Sequence, residues 1–145
     1  MKILVTGANG QLGKAIRDIE TDYSQHEFVF SDHDEYDIVS AITDQVEYLE
    51  AKKIDAVINC AAYTDVNKAE SDAEAAHKDN ALAPAVLAEA AKAAGAMLIH
   101  VSTDYVFDGT AHIPYKETEP TCPNSVYGNT KLAGEQNALT LCSRS

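Results

Sequence analysis

Short apolar runs alternate along the chain with longer segments in which apolar residues recur at helical spacing. The runs end at glycine or at turn residues, which is typical of strands buried on both faces of a parallel sheet. In the first longer segment, Leu12, Ile16 and Ile19 lie on one side of a helix. The pattern predicts four strands, at residues 2–6, 28–30, 54–60 and 97–101.

Helical segments are predicted between these strands and after the last one. They occupy residues 11–19, 43–52, 71–95 and 126–141. Thr43 is a candidate N-cap for the second segment, and Ser71 with Glu74 has the spacing of a capping box for the third. Pro84 is expected to kink the third segment or to begin a new helix, and Gly95 is expected to end it.

The alternation of strands and helices predicts the fold class. Strand–helix–strand units cross over with a right hand and give a parallel sheet with helices on both faces. We therefore expect a Rossmann-like, doubly wound α/β domain of three layers (αβα) over residues 1–145. Such sheets have about six strands, whereas four are predicted here and none follows the last helix, so the domain is expected to be incomplete.

Composition and charge exclude several classes of function. Of the 145 residues, 46% are apolar, which predicts a packed core, and the net charge of -12 argues against nucleic acid and anionic membranes as partners. No apolar stretch has the length of a membrane span and no secretory signal is visible, so we expect a cytoplasmic protein. The three cysteines and the scattered histidines match no metal-ligand spacing, and no metal is expected.

Three glycines follow the first predicted strand and begin the first helix. Gly7 permits a tight turn, Gly10 lets the backbone approach a pyrophosphate, and Gly13 allows close contact between helix and strand. The helix N-terminus offers free N–H groups and its positive dipole end to the phosphates. Gln11 and Leu12 stand where a nucleoside-triphosphate loop would have lysine and serine, so the turn favours a dinucleotide.

An acidic residue ends the second predicted strand. Asp32 lies about twenty residues past the glycine turn, where a carboxylate can accept hydrogen bonds from the adenosine ribose. The alternative is that it is one of several acids in a solvated loop. A carboxylate here would repel a 2′-phosphate and favours NADH over NADPH. Asp37 and Ile38 lie where the adenine could rest.

Residues suited to reducing a carbonyl group occur near the end of the chain. Ser102 and Thr103 follow the fourth predicted strand, at the sheet edge where ligands bind in parallel sheets. Tyr127 and Lys131 are four residues apart and therefore share one face of the last helix. An ammonium beside a phenol stabilises the phenolate, which makes the phenol usable in acid–base chemistry. A tyrosine and a lysine at this spacing are also common as a solvated pair, but the glycine turn in the same chain favours the catalytic interpretation.

These motifs, taken together, carry a resemblance to a known family. They lie at residues 6–13, 59–64, 68–70, 102–109 and 127–135. The chain resembles the extended short-chain dehydrogenase/reductases and, within them, the dTDP-4-dehydrorhamnose reductases. The segment 102–109 is the most specific of the motifs, whereas the glycine turn and the Tyr-x-x-x-Lys pair belong to the wider superfamily. Members of the family are about twice as long, which implies that the last strands and a small substrate lobe are missing here.

The resemblance implies a role for each matching residue. Tyr127 would donate a proton, Lys131 would stabilise the phenolate and hold the nicotinamide ribose, and Thr103 would bind the reacting oxygen. Asp104 and Tyr105 would contact the sugar. The residues implied in cofactor binding are Gly7, Gly10, Gln11, Leu12, Gly13, Asp32, Asp37, Ile38, Ala62, Tyr63, Thr64, Tyr127 and Lys131.

The implied reaction is the reduction of dTDP-4-dehydrorhamnose to dTDP-L-rhamnose by hydride transfer from NADH or NADPH. Another nucleotide-sugar reductase, epimerase or dehydratase of the superfamily stays open as an alternative. So does a regulatory subunit that binds a dinucleotide without turning over substrate. The partner would be a nucleotide-sugar, and a homodimer is expected by analogy with the superfamily.

Overall fold

The structure, a computed structural model, describes residues 1–33 and 36–145. Its sheet contains β1 (Lys2–Thr6), β2 (Glu27–Phe30), β3 (Ala56–Asn59) and β4 (Met97–His100). All the pairings are parallel, in the order β2-β1-β3-β4. The last residues of three adjacent strands pair in register: Thr6 of β1 with Asn59 of β3, and Asn59 with His100 of β4. The carboxyl ends of β1, β3 and β4 therefore lie side by side at one edge.

Six α-helices connect and cover these strands in the described residues. They are α1 (Gln11–Ile19), α2 (Ile42–Lys52), α3 (Val66–Ala69), α4 (Ala73–His77), α5 (Ala83–Ala94) and α6 (Val126–Leu141). A π-helical turn, Lys78–Leu82, joins α4 to α5, and Pro84 lies in the first turn of α5. The prediction that Pro84 begins a new helix is therefore confirmed. Gly95 ends α5 with a φ of 71°, as expected of a residue in this position.

Two apolar layers hold the helices to the two faces of the sheet. On one face, Leu4 and Val57 pack with Leu49 of α2 and Leu87 of α5, all essentially buried. On the other face, Val5 lies in a smaller cluster, against which Ile16 of α1, Phe28, Phe30 and Met97 pack. Because adjacent strand residues point to opposite faces, the continuous apolar runs supply both layers. The doubly wound, three-layer α/β fold is confirmed.

Two of the predicted helix starts are wrong. Thr43 lies inside the first turn of α2, and Ala41 occupies the N-cap position. The hydroxyl of Ser71 donates to the carbonyl of Lys68, 3.1 Å away, so it does not cap α4. Asp72 holds the N-cap position of that helix without a side-chain hydrogen bond to it. The hydroxyl of Thr43 donates to the carboxylate of Asp44, 3.4 Å away, and spacing alone does not reveal such local partners.

Candidate active site

A cleft of about 570 Å³ runs along the carboxyl edge of the sheet. Its volume falls in the range of small-molecule and cofactor sites. Among the predicted site residues, those that line it are Gly7, Gly10, Gln11, Leu12, Asp32, Asp37, Ile38, Ala62, Thr64, Tyr127 and Lys131. The cleft thus brings the glycine turn, the carboxylates of Asp32 and Asp37, and the Tyr–Lys pair to one place. More than a hundred residues separate the glycine turn from the Tyr–Lys pair in sequence.

The glycine turn is compact because its backbone passes close to the loop after β3 and folds back on itself. Gly7 has a φ of 62°, and a Cβ on it would lie 2.6 Å from the nitrogen of Ala61. A Cβ on Gly13 would lie 2.5 Å from the carbonyl oxygen of Gly7. Gly13 is buried beneath the turn and does not line the cleft. Gly10 occupies the N-cap position of α1 and no side chain in the described part of the chain caps this helix, so its first N–H groups are available to an anion.

Asp32 ties the glycine turn to the end of β2. Its two carboxylate oxygens accept hydrogen bonds from the backbone N–H of Asn9, at 2.9 Å, and of His33, at 2.8 Å. The hydrogen bond from His33 and then that from Asn9 lower the pKa of the carboxyl, so Asp32 is ionised at neutral pH. Each oxygen retains a further lone pair for a ribose hydroxyl.

A buried glutamine holds residues 36–40, which line or border the cleft after β2. Gln45 of α2 is fully buried and donates to the carbonyl oxygen of Ile38 at 2.8 Å. It accepts a hydrogen bond from the hydroxyl of Tyr36 at 3.0 Å. Asp37 accepts from the N–H of Val39. The sequence analysis did not identify Gln45, whose only signal was a polar residue on the apolar face of a predicted helix.

The loop after β3 is fixed by a second buried amide. Asn80, on the π-helical turn, is fully buried. It accepts from the N–H of Tyr63 at 2.9 Å and donates to the carbonyl oxygen of Tyr63 at 3.0 Å. Asn80 also donates to the hydroxyl of Thr130 on α6, and that hydroxyl donates to the carbonyl oxygen of Tyr127. Asn80 therefore links the loop to the helix that carries the Tyr–Lys pair, and the sequence analysis missed it.

The side chain of Tyr63 points away from the cleft. Its hydroxyl donates to Asp72 at 3.2 Å, and the ammonium of Lys68 lies 5.9 Å from its ring centroid. Tyr63 does not line the cleft, unlike its neighbours Ala62 and Thr64. Its predicted part in cofactor binding stays a prediction.

Lys131 lies under the floor of the cleft, at the end of β4. It is 2% exposed, and its Nζ donates to the carbonyl oxygen of Val101 at 2.6 Å. Burial lowers the pKa of this ammonium, while the carboxylate of Glu135 acts in the opposite direction. Val101 also lines the cleft, and the sequence analysis missed it because its carbonyl, not its side chain, makes the contact. Two N–H groups of Lys131 remain for other acceptors.

Thr103 caps a short 3₁₀-helix, Asp104–Val106, beside the cleft. The hydroxyl of Thr103 donates to the carboxylate of Asp104 at 3.2 Å and accepts from the N–H of Tyr105. The ring of Tyr105 packs edge-on against Tyr127, with the centroids 5.5 Å apart. Asp104 and Tyr105 line a smaller pocket of about 250 Å³ that also includes Phe107. Thr103 lines neither cavity, and its predicted role stays a prediction.

A buried polar chain crosses the sheet below the cleft. The hydroxyl of Thr6 donates to Oδ1 of Asn59 at 2.7 Å, and Oδ1 also accepts from the N–H of Ala61. Nδ2 of Asn59 therefore faces Nδ1 of His100, 3.1 Å away. Desolvation, followed by the nearby positive charge of Lys131, lowers the pKa of His100 to about 4. His100 is accordingly neutral at pH 7, with Nδ1 as the acceptor.

Other classes of site are not found in the residues that the structure describes. No group of three or more His, Cys, Asp or Glu side chains within 1–33 and 36–145 is arranged to hold a metal ion. Over the same residues, no helix combines the length and the apolar character required to cross a membrane.

Comparison with known proteins identifies the family. The model of the RmlD substrate binding domain matches residues 1–145. The chain belongs to this family. The dTDP-4-dehydrorhamnose reductase of Burkholderia thailandensis is 49% identical over 135 residues, which cover 93% of this chain and 44% of that protein.

Two solved structures of RmlD-family relatives have the same fold. The dTDP-4-dehydrorhamnose reductase of Clostridium acetobutylicum superposes with a TM-score of 0.93 at 42% identity, covering 99% of this chain and 51% of that one. The enzyme of the same name from Bacillus anthracis, in complex with NADP, superposes with a TM-score of 0.92 at 34% identity, covering 99% and 50%. This chain therefore spans about half the length of the relatives that it matches.

Proposed function

We propose that the chain is the cofactor-binding part of an NAD(P)H-dependent reductase that converts dTDP-4-dehydrorhamnose to dTDP-L-rhamnose. The observation that carries this proposal is the single cleft shared by the glycine turn, Tyr127 and Lys131. A dinucleotide site without an acid–base pair would suit a binding protein. Here the pair lies where the nicotinamide end would be. Relatives that carry the name of this activity support the choice of substrate.

The cleft fits a dinucleotide. The uncapped start of α1 would receive the pyrophosphate, with the backbone of Gly10, Gln11 and Leu12 lining that part of the cleft. Asp37 and Ile38 would flank the adenosine, and Asp32 would accept from its ribose while it holds the glycine turn. A relative that binds NADP shows that the family's fold accepts a 2′-phosphate, so we propose NADH or NADPH rather than NADH alone.

Tyr127 and Lys131 would carry out the proton transfer that accompanies reduction. When bound, the reduced nicotinamide would supply the hydride for the C4 carbonyl of the sugar. Tyr127 would give its proton to the oxygen on which negative charge develops, and Lys131, fixed on the carbonyl of Val101, would stabilise the resulting phenolate. For Thr103 to donate to the same oxygen, its hydroxyl would have to leave Asp104. Asp104 and Tyr105 would contact the sugar from the smaller pocket.

Removing the hydroxyl group of Tyr127 tests the proposal. In the full-length protein, we expect Tyr127→Phe to keep dinucleotide affinity within about two-fold and to lower kcat by about 10²- to 10⁴-fold, the range typical of a lost general acid. The measurement is the oxidation of NADH and of NADPH in the presence of dTDP-4-dehydrorhamnose. Tyr23→Phe, which changes an exposed tyrosine that does not line the cleft, is the control.

The outcomes separate the proposed function from its alternatives. Wild-type turnover of a different nucleotide-sugar in place of dTDP-4-dehydrorhamnose would indicate another reductase of the superfamily. Tight dinucleotide binding without turnover of any such sugar would indicate a regulatory protein. An unchanged kcat in Tyr127→Phe would remove Tyr127 from the mechanism.

A further inference from the structure

Glu70 connects a short helix to the start of the helix that carries the Tyr–Lys pair. Its Oε1 accepts a hydrogen bond from the backbone N–H of Val126 at 2.8 Å, although the two residues are 56 apart in sequence. Val126 is the first residue of α6 and immediately precedes Tyr127. The side chain of Glu70 lines neither cavity.

The first turn of α6 has unpaired N–H groups that need partners from outside the helix. Ser125 supplies one partner, since its hydroxyl accepts from the N–H of Gly128 at 3.0 Å. Glu70 supplies another through the N–H of Val126, and its negative charge lies at the positive end of the helix dipole. The carboxylate is therefore a long-range cap, whereas Ser125 is the local one.

Glu70 is itself held by the short helix that it follows. The carboxylate of Asp65 caps α3 by accepting from the N–H of Lys68 at 2.9 Å. Ala69 is fully buried, and the hydroxyl of Ser71 closes the end of the helix on the carbonyl of Lys68. Because α3 begins soon after Thr64, which lines the cleft, a displacement of α3 would affect the cleft as well.

The start of α6 has little freedom in the direction of the smaller pocket. A Cβ on Gly128 would collide with the carbonyl oxygen of Tyr105, so the helix backbone passes directly beside this turn. The ring of Tyr105 in turn packs edge-on against Tyr127. The position of the first turn of α6 therefore sets where the phenol of Tyr127 lies.

We propose that Glu70 is a positioning residue that holds the first turn of α6 and thereby aligns Tyr127 for proton transfer. It acts through the helix and contacts neither the substrate nor the cofactor. The kinetic part of this inference rests on the proposed reductase function, whereas the structural part does not depend on it.

Two substitutions separate the hydrogen bond from the charge. In the full-length protein, Glu70→Ala removes the acceptor, whereas Glu70→Gln keeps an oxygen that can accept from Val126. We expect kcat to fall about ten-fold in Glu70→Ala with the dinucleotide Kd within about two-fold of wild type, and Glu70→Gln to recover most of the loss. Glu89→Ala, which removes an exposed carboxylate from α5, is the matched control and is expected to keep the wild-type kcat.

Amide hydrogen exchange at Val126 provides a measurement that needs no turnover. We expect exchange at this amide to be at least about ten-fold faster in Glu70→Ala than in wild type or Glu70→Gln, because Glu70 is the acceptor of its N–H. Wild-type exchange in Glu70→Ala would overturn the proposal whether or not the protein reduces a sugar. So would a kcat within about two-fold of wild type, or a rise in dinucleotide Kd as large as the fall in kcat. If the wild type lacks turnover, the proposed function fails and the exchange measurement still decides the role of Glu70.

Discussion

Protonation of His100 should make the stability of the fold depend on pH in the mildly acidic range. The amide of Asn59 is oriented by two donors, Thr6 and the N–H of Ala61, which fix its Oδ1. Its NH₂ group then donates to Nδ1 of His100. A proton on Nδ1 would place two donors against each other in a largely buried site, close to the positive charge of Lys131.

The size of the effect follows from the difference between the two pKa values of His100. Its pKa is 6.5 in the unfolded chain and about 4 in the folded protein. Between these values the unfolded state binds the proton and the folded state does not, so stability falls as the pH falls. The full loss is about 3 kcal/mol below pH 4, and between about pH 7 and about pH 5 it amounts to about 2 kcal/mol.

Urea unfolding at a series of pH values tests this expectation. His100→Asn keeps an acceptor oxygen for Asn59 but cannot titrate, so the contribution of about 2 kcal/mol between about pH 7 and about pH 5 should disappear. The variant is also expected to lose about 1–2 kcal/mol at every pH, because a smaller side chain leaves a gap. His112→Asn alters an exposed histidine and should keep the wild-type dependence. If His100→Asn retained the full wild-type slope, the assignment of the slope to His100 would be refuted.

Two further substitutions test the packing around the cleft. Gly13→Ala should destabilise the fold by about 1–3 kcal/mol or more in thermal unfolding and should weaken dinucleotide binding, because its Cβ would press on backbone atoms of Gly7 and Ala8. Gly10→Ala should cost less, because its Cβ would lie 3.2 Å from the carbonyl oxygen of Gly7. Equal losses of stability in the two variants would contradict this argument. Asn80→Ala should lower the free energy of unfolding by about 2–4 kcal/mol, because the N–H and the carbonyl of Tyr63 both lose a partner. Asn137→Ala, which removes one hydrogen bond, should lower it by about 1 kcal/mol. A similar loss of stability in both variants would show that the two hydrogen bonds to Tyr63 contribute no more than one.

Much of the fold could be predicted from the sequence because burial leaves a strong pattern. The first strand, the first helix and α6 have the predicted bounds, and the other strands differ by a few residues at their ends. Helix starts were harder to predict. A hydroxyl such as that of Ser71 can cap a helix or bind the carbonyl of Lys68, and the choice depends on how the chain enters the helix.

The motifs predicted which residues share the cleft better than they predicted what holds those residues in place. Glycine spacing and the Tyr–Lys pair report local geometry, and the structure brings these residues together. Asn80 and Gln45 could not be found in the same way, because their partners are backbone groups 17 and seven residues away and the sequence names no partner for an amide. Val101 acts through a carbonyl, which every residue possesses.

Two separate contacts join the loop after β3 to α6, and this arrangement explains how distant motifs can act together. Asn80 binds the backbone of Tyr63 on one side and Thr130 on the other, at the start of the second turn of α6. Glu70 reaches the N-terminus of the same helix. These two contacts bind α6 at its first residue and one turn further along, in addition to the hydrogen bond from Lys131 to the carbonyl oxygen of Val101. Tyr127 lies between Val126 and Thr130 in sequence, so we expect its placement relative to the loop after β3 to depend on both contacts.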